Sequence, residues 1–232
     1  MTESEKITMW TGQSSLVLEE LKRTGRYVVK NCYVEQKYSE TAWIFREAYQ
    51  FLAGKAEEKV AKPDGAESPV WVYKNPNQIH GGEDVHYLKL RIPKDKVLCF
   101  DSRKWNRILN LEYLGADKKD EERFAEKLRS RGIHDSLDLF RTAYYPLEKR
   151  EVKKSWDRLL GEFSIEEAYL QGMTWEIREE WIEELQKGTY PDERGRIPMK
   201  RDRSGAGQLP DAGWTVRDIA GALQSVAEKE TK

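Results

Sequence analysis

Tyr169-Leu170-Gln171-Gly172-Met173-Thr174-Trp175-Glu176-Ile177 alternates with the period of a β-strand. Tyr169, Gln171, Met173, Trp175 and Ile177 share one face of it, so a lone amide sits in an apolar row. Burying an amide without partners costs about 1–3 kcal/mol, so its presence there calls for a reason. The N-terminal run Ile7-Thr8-Met9-Trp10-Thr11-Gly12-Gln13 repeats the pattern, with Ile7 and Met9 leading into Thr11 and Gln13 on the same side. Two strands that both turn from apolar to polar on one face are expected to line one pocket. The competing expectation is that both glutamines satisfy backbone groups in the core.

Outward from these two strands the chain reads as α+β, with a mixed or antiparallel sheet and packed helices. Residues 7–11 form the first strand. Ser14 or Ser15 caps a helix carrying Leu18 and Leu21, and Gly25 stops it. Tyr27-Val28-Val29 is a short strand. Ser39 opens a helix to about Lys59, with Ala42, Phe45, Tyr49 and Leu52 at helical spacing. Residues 70–73, 85–92 and 97–100 read as strands, the last two joined by a hairpin-like turn at Pro93-Lys94-Asp95-Lys96. Asp101 or Ser102 starts a helix with Trp105, Ile108 and Leu109. Residues 118–160 are helical and charged, broken at Gly132 and Pro146, and residues 179–185 read as the start of another helix.

The expected organisation is a main domain over residues 1–186, a basic arm over 187–213 and an amphipathic helix over 214–232. The arm is rich in Gly and Pro, and Arg194, Arg196, Lys200, Arg201 and Arg203 make it a candidate nucleic-acid contact. Residues 214–229 carry Val216, Ile219, Ala220 and Leu223 on one stripe. A helix that short needs a docking partner, either the main domain or another protein.

Charged residues make up 35% of the 232, yet the net charge is −1, so no global field draws nucleic acid or membrane. Eight Trp supply a core despite a mean hydropathy of −0.82. Cys32 and Cys99 suit reduced thiols, and no apolar run reaches the roughly 20 residues of a membrane span. The N-terminus is acidic, unlike a secretory signal, so the expected location is cytoplasmic with no membrane contact. The spacing of His80, His86 and His134 fits no metal motif, and no phosphate loop or Gly-x-Ser-x-Gly elbow is present. Aromatic and basic residues do interleave at Trp10, Tyr27, Tyr33, Tyr38, Trp71 and Tyr73, as a nucleobase or nicotinamide platform requires.

Met9-Trp10-Thr11-Gly12-Gln13-Ser14, Leu98-Cys99-Phe100-Asp101 with Trp105, Ser155-Trp156-Asp157-Arg158 and the Gln171-x-x-x-Trp175-Glu176-Ile177 strand resemble a bacterial family known only as domain of unknown function 3841, over roughly residues 7–186. More distantly the chain resembles ADP-ribosyltransferase folds. There a first strand ends in residues that hold the nicotinamide ribose, an aromatic follows, and a late strand supplies a catalytic Glu or Gln. The residues 87–93 look like the central strand of those folds. The likeness implies an NAD-dependent ADP-ribosyltransferase-like domain that modifies a macromolecule, nucleic acid or protein, as toxins and phage-defence effectors do. By it Gln171 and Glu176 are the catalytic candidates, and Trp10, Thr11, Gln13, Tyr27 and Tyr49 hold NAD, which is the substrate; no metal is implied. The chain departs from that pattern where Trp10 or Thr11 replaces the usual His or Arg, and where Gln171 replaces Glu. The alternative is a non-catalytic binding module in a multi-protein bacterial complex.

Overall fold

The structure is a computed structural model and describes residues 5–30, 42–79, 84–134, 136–161 and 165–187. The basic arm beyond Lys187 and the 214–229 segment lie outside the described residues, as does Cys32. In chain order the elements are β1 (Lys6–Gln13), α1 (Ser15–Thr24), β2 (Arg26–Val28), α2 (Ala42–Lys59), β3 (Val70–Tyr73), β4 (His86–Pro93) and β5 (Leu98–Asp101). Then follow α3 (Ser102–Leu109), α4 (Lys118–Arg129), α5 (Ser136–Arg141), α6 (Pro146–Ser155), β6 (Leu170–Thr174), β7 (Glu176–Arg178) and β8 (Ile182–Lys187). The α+β class holds, and no described helix is long and apolar enough to cross a membrane.

Helix boundaries follow local chemistry. Gly25 adopts φ 72, which lets its N–H reach the Leu21 carbonyl and end α1. The Asp101 carboxylate accepts from the Arg103 N–H and opens α3, and Asp117 does the same for α4 through Asp120. Pro146 stands at the start of α6, where its missing N–H is harmless.

Six strands form one antiparallel sheet in the order β5-β6-β3-β1-β4-β8, and β2 pairs with β7 separately. β1 and β3 share a single paired position, Trp10 with Tyr73, whereas β1 and β4 pair along eight residues. The sheet therefore bends between β1 and β3 into two halves. The link from β4 to β5 requires that bend. Four strand spacings in a flat sheet cover about 19 Å, and five Cα steps reach only about 18 Å at full extension, while this connection is a tight turn at Lys94–Lys96. Residues 93–96 are thus a corner between the two halves and not the hairpin expected from sequence.

Two cores fill the two faces. Helices α2 to α6 cover one, around Leu52, Phe100, Trp105, Val152, Trp156 and Met173. Helix α1 and the β2/β7 pair cover the other, around Met9, Leu21, Val72, Leu90, Ile92 and Ile177. The indole N–H of buried Trp156 donates to the Glu112 carbonyl (2.8 Å), so its polar tip is satisfied. Removing such a ring costs about 3–5 kcal/mol.

Two further expectations need correction. The 169–177 run is not one strand: β6 ends at Thr174, and the chain re-enters as β7 in the second sheet. Residues 179–185 do not start a helix either. After one turn at Glu179–Trp181 they become β8, which pairs with β4 through a bulge at Lys89/Leu90. Helical propensity in Glu-Glu-Leu-Gln-Lys yields there to an open sheet edge that places Leu185 opposite Leu88.

Candidate functional site

Directly opposed residues in antiparallel strands share a face, so the register of the sheet lays out a row of side chains. Phe100, Gln171, Tyr73, Trp10 and Lys89 stand opposite one another across five strands. Burial falls along it, from Phe100 at 0% and Gln171 at 6% exposed to half-buried Tyr73, Trp10 and Lys89. The Gln171 amide makes no hydrogen bond among the described residues and is not among the buried groups left without a partner, so its polar end reaches solvent from a largely buried side chain. An aromatic wall stands beside it on the same face. Half-buried Trp71 contacts the rings of Tyr49 (5.4 Å between centroids), Trp105 (5.5 Å) and Phe100 (6.4 Å).

A second amide closes the end of this row. The Lys74 N–H donates to the Leu170 carbonyl (2.9 Å), and Asp101 opposes Leu170, so the ends of β3, β6 and β5 meet. There Gln78 donates from Nε2 to Ser102 Oγ (3.3 Å), a bond that spans the start of β6. Its Oε1 is buried with no hydrogen-bond partner. The turn carrying Gln78 is fixed by Asn75, whose side chain accepts from the Asn77 N–H, and by Ile79 on Gly12. A Cβ at Gly12 would lie 2.5 Å from Ile79 Cγ2, so only glycine lets the turn close so tightly on β1. Asp101 is also held by Arg103, which stacks 3.9 Å above the Tyr169 ring. Burial pushes the Asp101 carboxyl up, but the hydrogen bonds and charge of Arg103 outweigh it and hold the group below the usual carboxylate range.

The register separates residues that the sequence pattern joins. Trp10, Tyr49 and Gln171 belong to the helix-covered side, while Thr11 and Gln13 point the other way, towards the core of Met9 and Leu88. Tyr27 packs against that second core too. Thr11, Gln13 and Gln171 therefore do not converge on one cleft. Each strand does turn from apolar to polar on one face, but the Trp10–Tyr73–Gln171 pairing puts the even residues of β1 with the odd residues of β6. Gln13 instead satisfies Thr11, donating to its Oγ1 at 2.8 Å. Glu176 lies on β7, 4% exposed, between Arg26 (2.6 Å) and Arg178 (2.8 Å). Gln78 enters the site although sequence pattern alone does not mark it, and Tyr73 enters it as one of the interleaved aromatics. Tyr73 shares its strand face with Trp71, and only the pairing register ties it to Gln171.

Behind the sheet, Ser15, Asp84 and His86 form a compact cluster. Ser15 Oγ lies 2.5 Å from Asp84 Oδ1 and 2.9 Å from His86 Nε2. A carboxylate only accepts, so the serine proton goes to Asp84 and His86 must donate from Nε2. That order of donors is the reverse of a nucleophilic triad, in which histidine accepts the serine proton. The Ser15 N–H also donates to Asp84 (3.0 Å), which marks the carboxylate as the cap of α1. These hydrogen bonds hold the Asp84 carboxyl below its ordinary value, with the serine hydroxyl contributing most.

No curated protein and no solved structure matches this chain. A family profile does, over residues 8–183, and it spans the strands that build both the Gln171 row and its aromatic wall. That match takes in well over half of the 232 residues, and the chain belongs to the family described as Domain of unknown function (DUF3841).

Proposed function

We propose that the Trp10–Tyr73–Gln171 row binds the nicotinamide end of NAD, and that the protein is an ADP-ribosyltransferase-like enzyme acting on a macromolecule. The observation that carries this reading is the Gln171 amide, which makes no hydrogen bond among the described residues, reaches solvent and stands between Phe100 and Tyr73 in the row. Nicotinamide offers a flat ring for Trp10, Tyr73 or Trp71 and a carboxamide whose donor and acceptor match a free Gln side chain. Gln78 Oε1 and Ser102 supply further polar groups at the end of the row.

The reaction breaks the bond between ribose C1′ and the nicotinamide nitrogen. Nicotinamide leaves neutral with the electron pair, and an oxygen or nitrogen of the acceptor bonds to C1′ and loses its proton. Positive charge grows on the ribose, so positioning, water exclusion and oriented dipoles are the protein's contribution. Gln171 offers an amide dipole for that charge.

One observation favours the second reading, a binding module without turnover. From Phe100 to Lys89 the row holds no carboxylate, Glu184 opposite Lys89 is exposed on the edge strand and accepts from Gln186, and Glu176 is already neutralised between two arginines on another sheet. Thermal shift with NAD and assay of released nicotinamide separate the readings. Stabilisation with release supports the enzyme, and stabilisation without release supports the module. A protein that neither gains stability nor releases nicotinamide overturns the assignment of the row. At a ligand concentration one hundred times Kd the gain is about 2.7 kcal/mol.

A further inference from the structure

Helix α6 and the loop before it form an exposed surface unlike the rest of the helical layer. Tyr144 is 74% exposed and Leu147 65%. With Tyr145, Pro146, Arg131 and Glu148 they line a surface cavity of about 540 Å³. The rings of Tyr144 and Tyr145 meet edge to face at 6.5 Å, and Tyr145 is held at φ 61 immediately before Pro146.

Charge on α6 is lopsided. Both of its carboxylates are neutralised: Glu148 is buried against Arg131 (2.8 Å) and Lys127 (3.8 Å), and Glu151 pairs with Lys127 (2.5 Å). Lys153 is tied to Glu47 and Lys149 to the Thr142 carbonyl. Arg150 and Lys154 are exposed and make no ion pair among the described residues. Leu147, Arg150 and Lys154 follow at helical i, i+3 and i+7 spacing, so the free cations continue the stripe that begins at the cavity. The inward residues Val152 and Trp156 join the core of Phe100 and Met173, which places the surface on the Gln171 side of the sheet.

We infer that this surface binds single-stranded nucleic acid, with one unstacked base against Tyr144 and the backbone phosphates along Arg150 and Lys154. An exposed ring beside uncompensated cations is the arrangement that stacks a base and neutralises its phosphates. A duplex keeps its base faces stacked inside, out of reach of the Tyr144 ring. Glu148, with its charge already balanced, does not repel the strand. The surface makes single-stranded nucleic acid the acceptor class of the transferase, and for that role alone the inference rests on the proposed function.

Fluorescence anisotropy tests it, using the full chain without NAD and labelled mixed-sequence 12-nucleotide single strands of RNA and DNA with a blunt duplex as control. Either single strand should bind better than the duplex, and affinity should fall as salt rises from 50 to 200 mM. Tyr144→Ala should weaken binding about tenfold, within the range for loss of one stacked base. Arg150→Glu with Lys154→Glu should weaken it at least as much and flatten the salt dependence by about two phosphate contacts. All three changes lie at exposed positions, so melting temperature and NAD-induced shift should stay as in the wild type. Binding that survives the combined Tyr144, Arg150 and Lys154 changes, absence of binding at 50 mM salt, or equal affinity for the duplex would overturn the inference. Because no NAD is present, failure of the transferase reading leaves the binding result standing.

Discussion

Replacing Gln171 by Met sets stability and ligand binding against each other. The side chain is 6% exposed and its amide finds no partner among the described residues. Its amide atoms are not among the buried groups left without a partner, so they keep contact with water and carry only part of the about 1–3 kcal/mol that a fully desolvated amide costs. Met has similar length and flexibility, so Gln171→Met removes that partial penalty with little change of volume and adds contact with neighbouring Phe100 and Tyr73. The expected gain is about 1 kcal/mol at most, which for a domain of this size raises Tm by about 2–4 °C. The same change removes the polar group proposed to meet nicotinamide, so the NAD-induced shift should vanish. Thermal denaturation of wild type and variant, each with and without NAD, reads both effects. A variant destabilised by more than about 1 kcal/mol would mean that Gln171 is a satisfied core amide. A retained NAD shift would place the ligand elsewhere, and either result refutes the site.

Three other outcomes follow from particular contacts. Glu176→Ala should cost about 1–3 kcal/mol in urea unfolding, below the figure for a fully buried pair because Arg26 and Arg178 regain water; any nicotinamide release per folded molecule should stay within twofold of wild type, and a far larger loss would give Glu176 a role in the reaction. Burial pushes the Cys99 thiol up to about 11, so a thiol reagent at pH 8 should label it slowly until denaturant is added, and fast labelling of native Cys99 by mass spectrometry would contradict the packing of β5. Asp101, whose folded carboxyl titrates below its unfolded value near 3.9, contributes stability above that value and loses it as pH falls through the lower folded pKa; Arg103→Ala should shrink this acid-side loss in pH-dependent melting, and an unchanged profile would refute the pairing.

The strands were legible because local alternation is what the sequence records most directly. Residues 70–73 and the first strand alternate with period two, and Gly25, Asp101, Gly132 and Pro146 mark helix limits through backbone geometry that depends on the residue itself. Strand β8 was not legible. Its Glu, Leu, Gln and Lys favour a helix, and its conformation is set by the unpaired edge of β4, which lies about ninety residues away in sequence. The corner at 93–96 was hidden for a related reason. A short turn between two strands looks the same whether they pair or part, and strand order depends on every other strand in the sheet.

The site was half legible for a reason that can be stated as parity. Pattern identifies which residues of one strand share a face, but a face of β1 and a face of β6 are related only through the register of β3 between them. Slipping that register by one residue would exchange the two sets. As built, Trp10 with Tyr73 and Tyr73 with Gln171 place the indole on the amide's side and leave Thr11 behind the sheet. The lone polar residue in an apolar strand is a signal the sequence does carry, since the solvation cost of a buried amide makes Gln171 conspicuous. Gln13 carries the same signal and means the opposite, because Thr11 lies two residues away on its own face and accepts its hydrogen bond. A buried glutamine therefore points to a ligand only once its nearest acceptors are known, and those come from the fold.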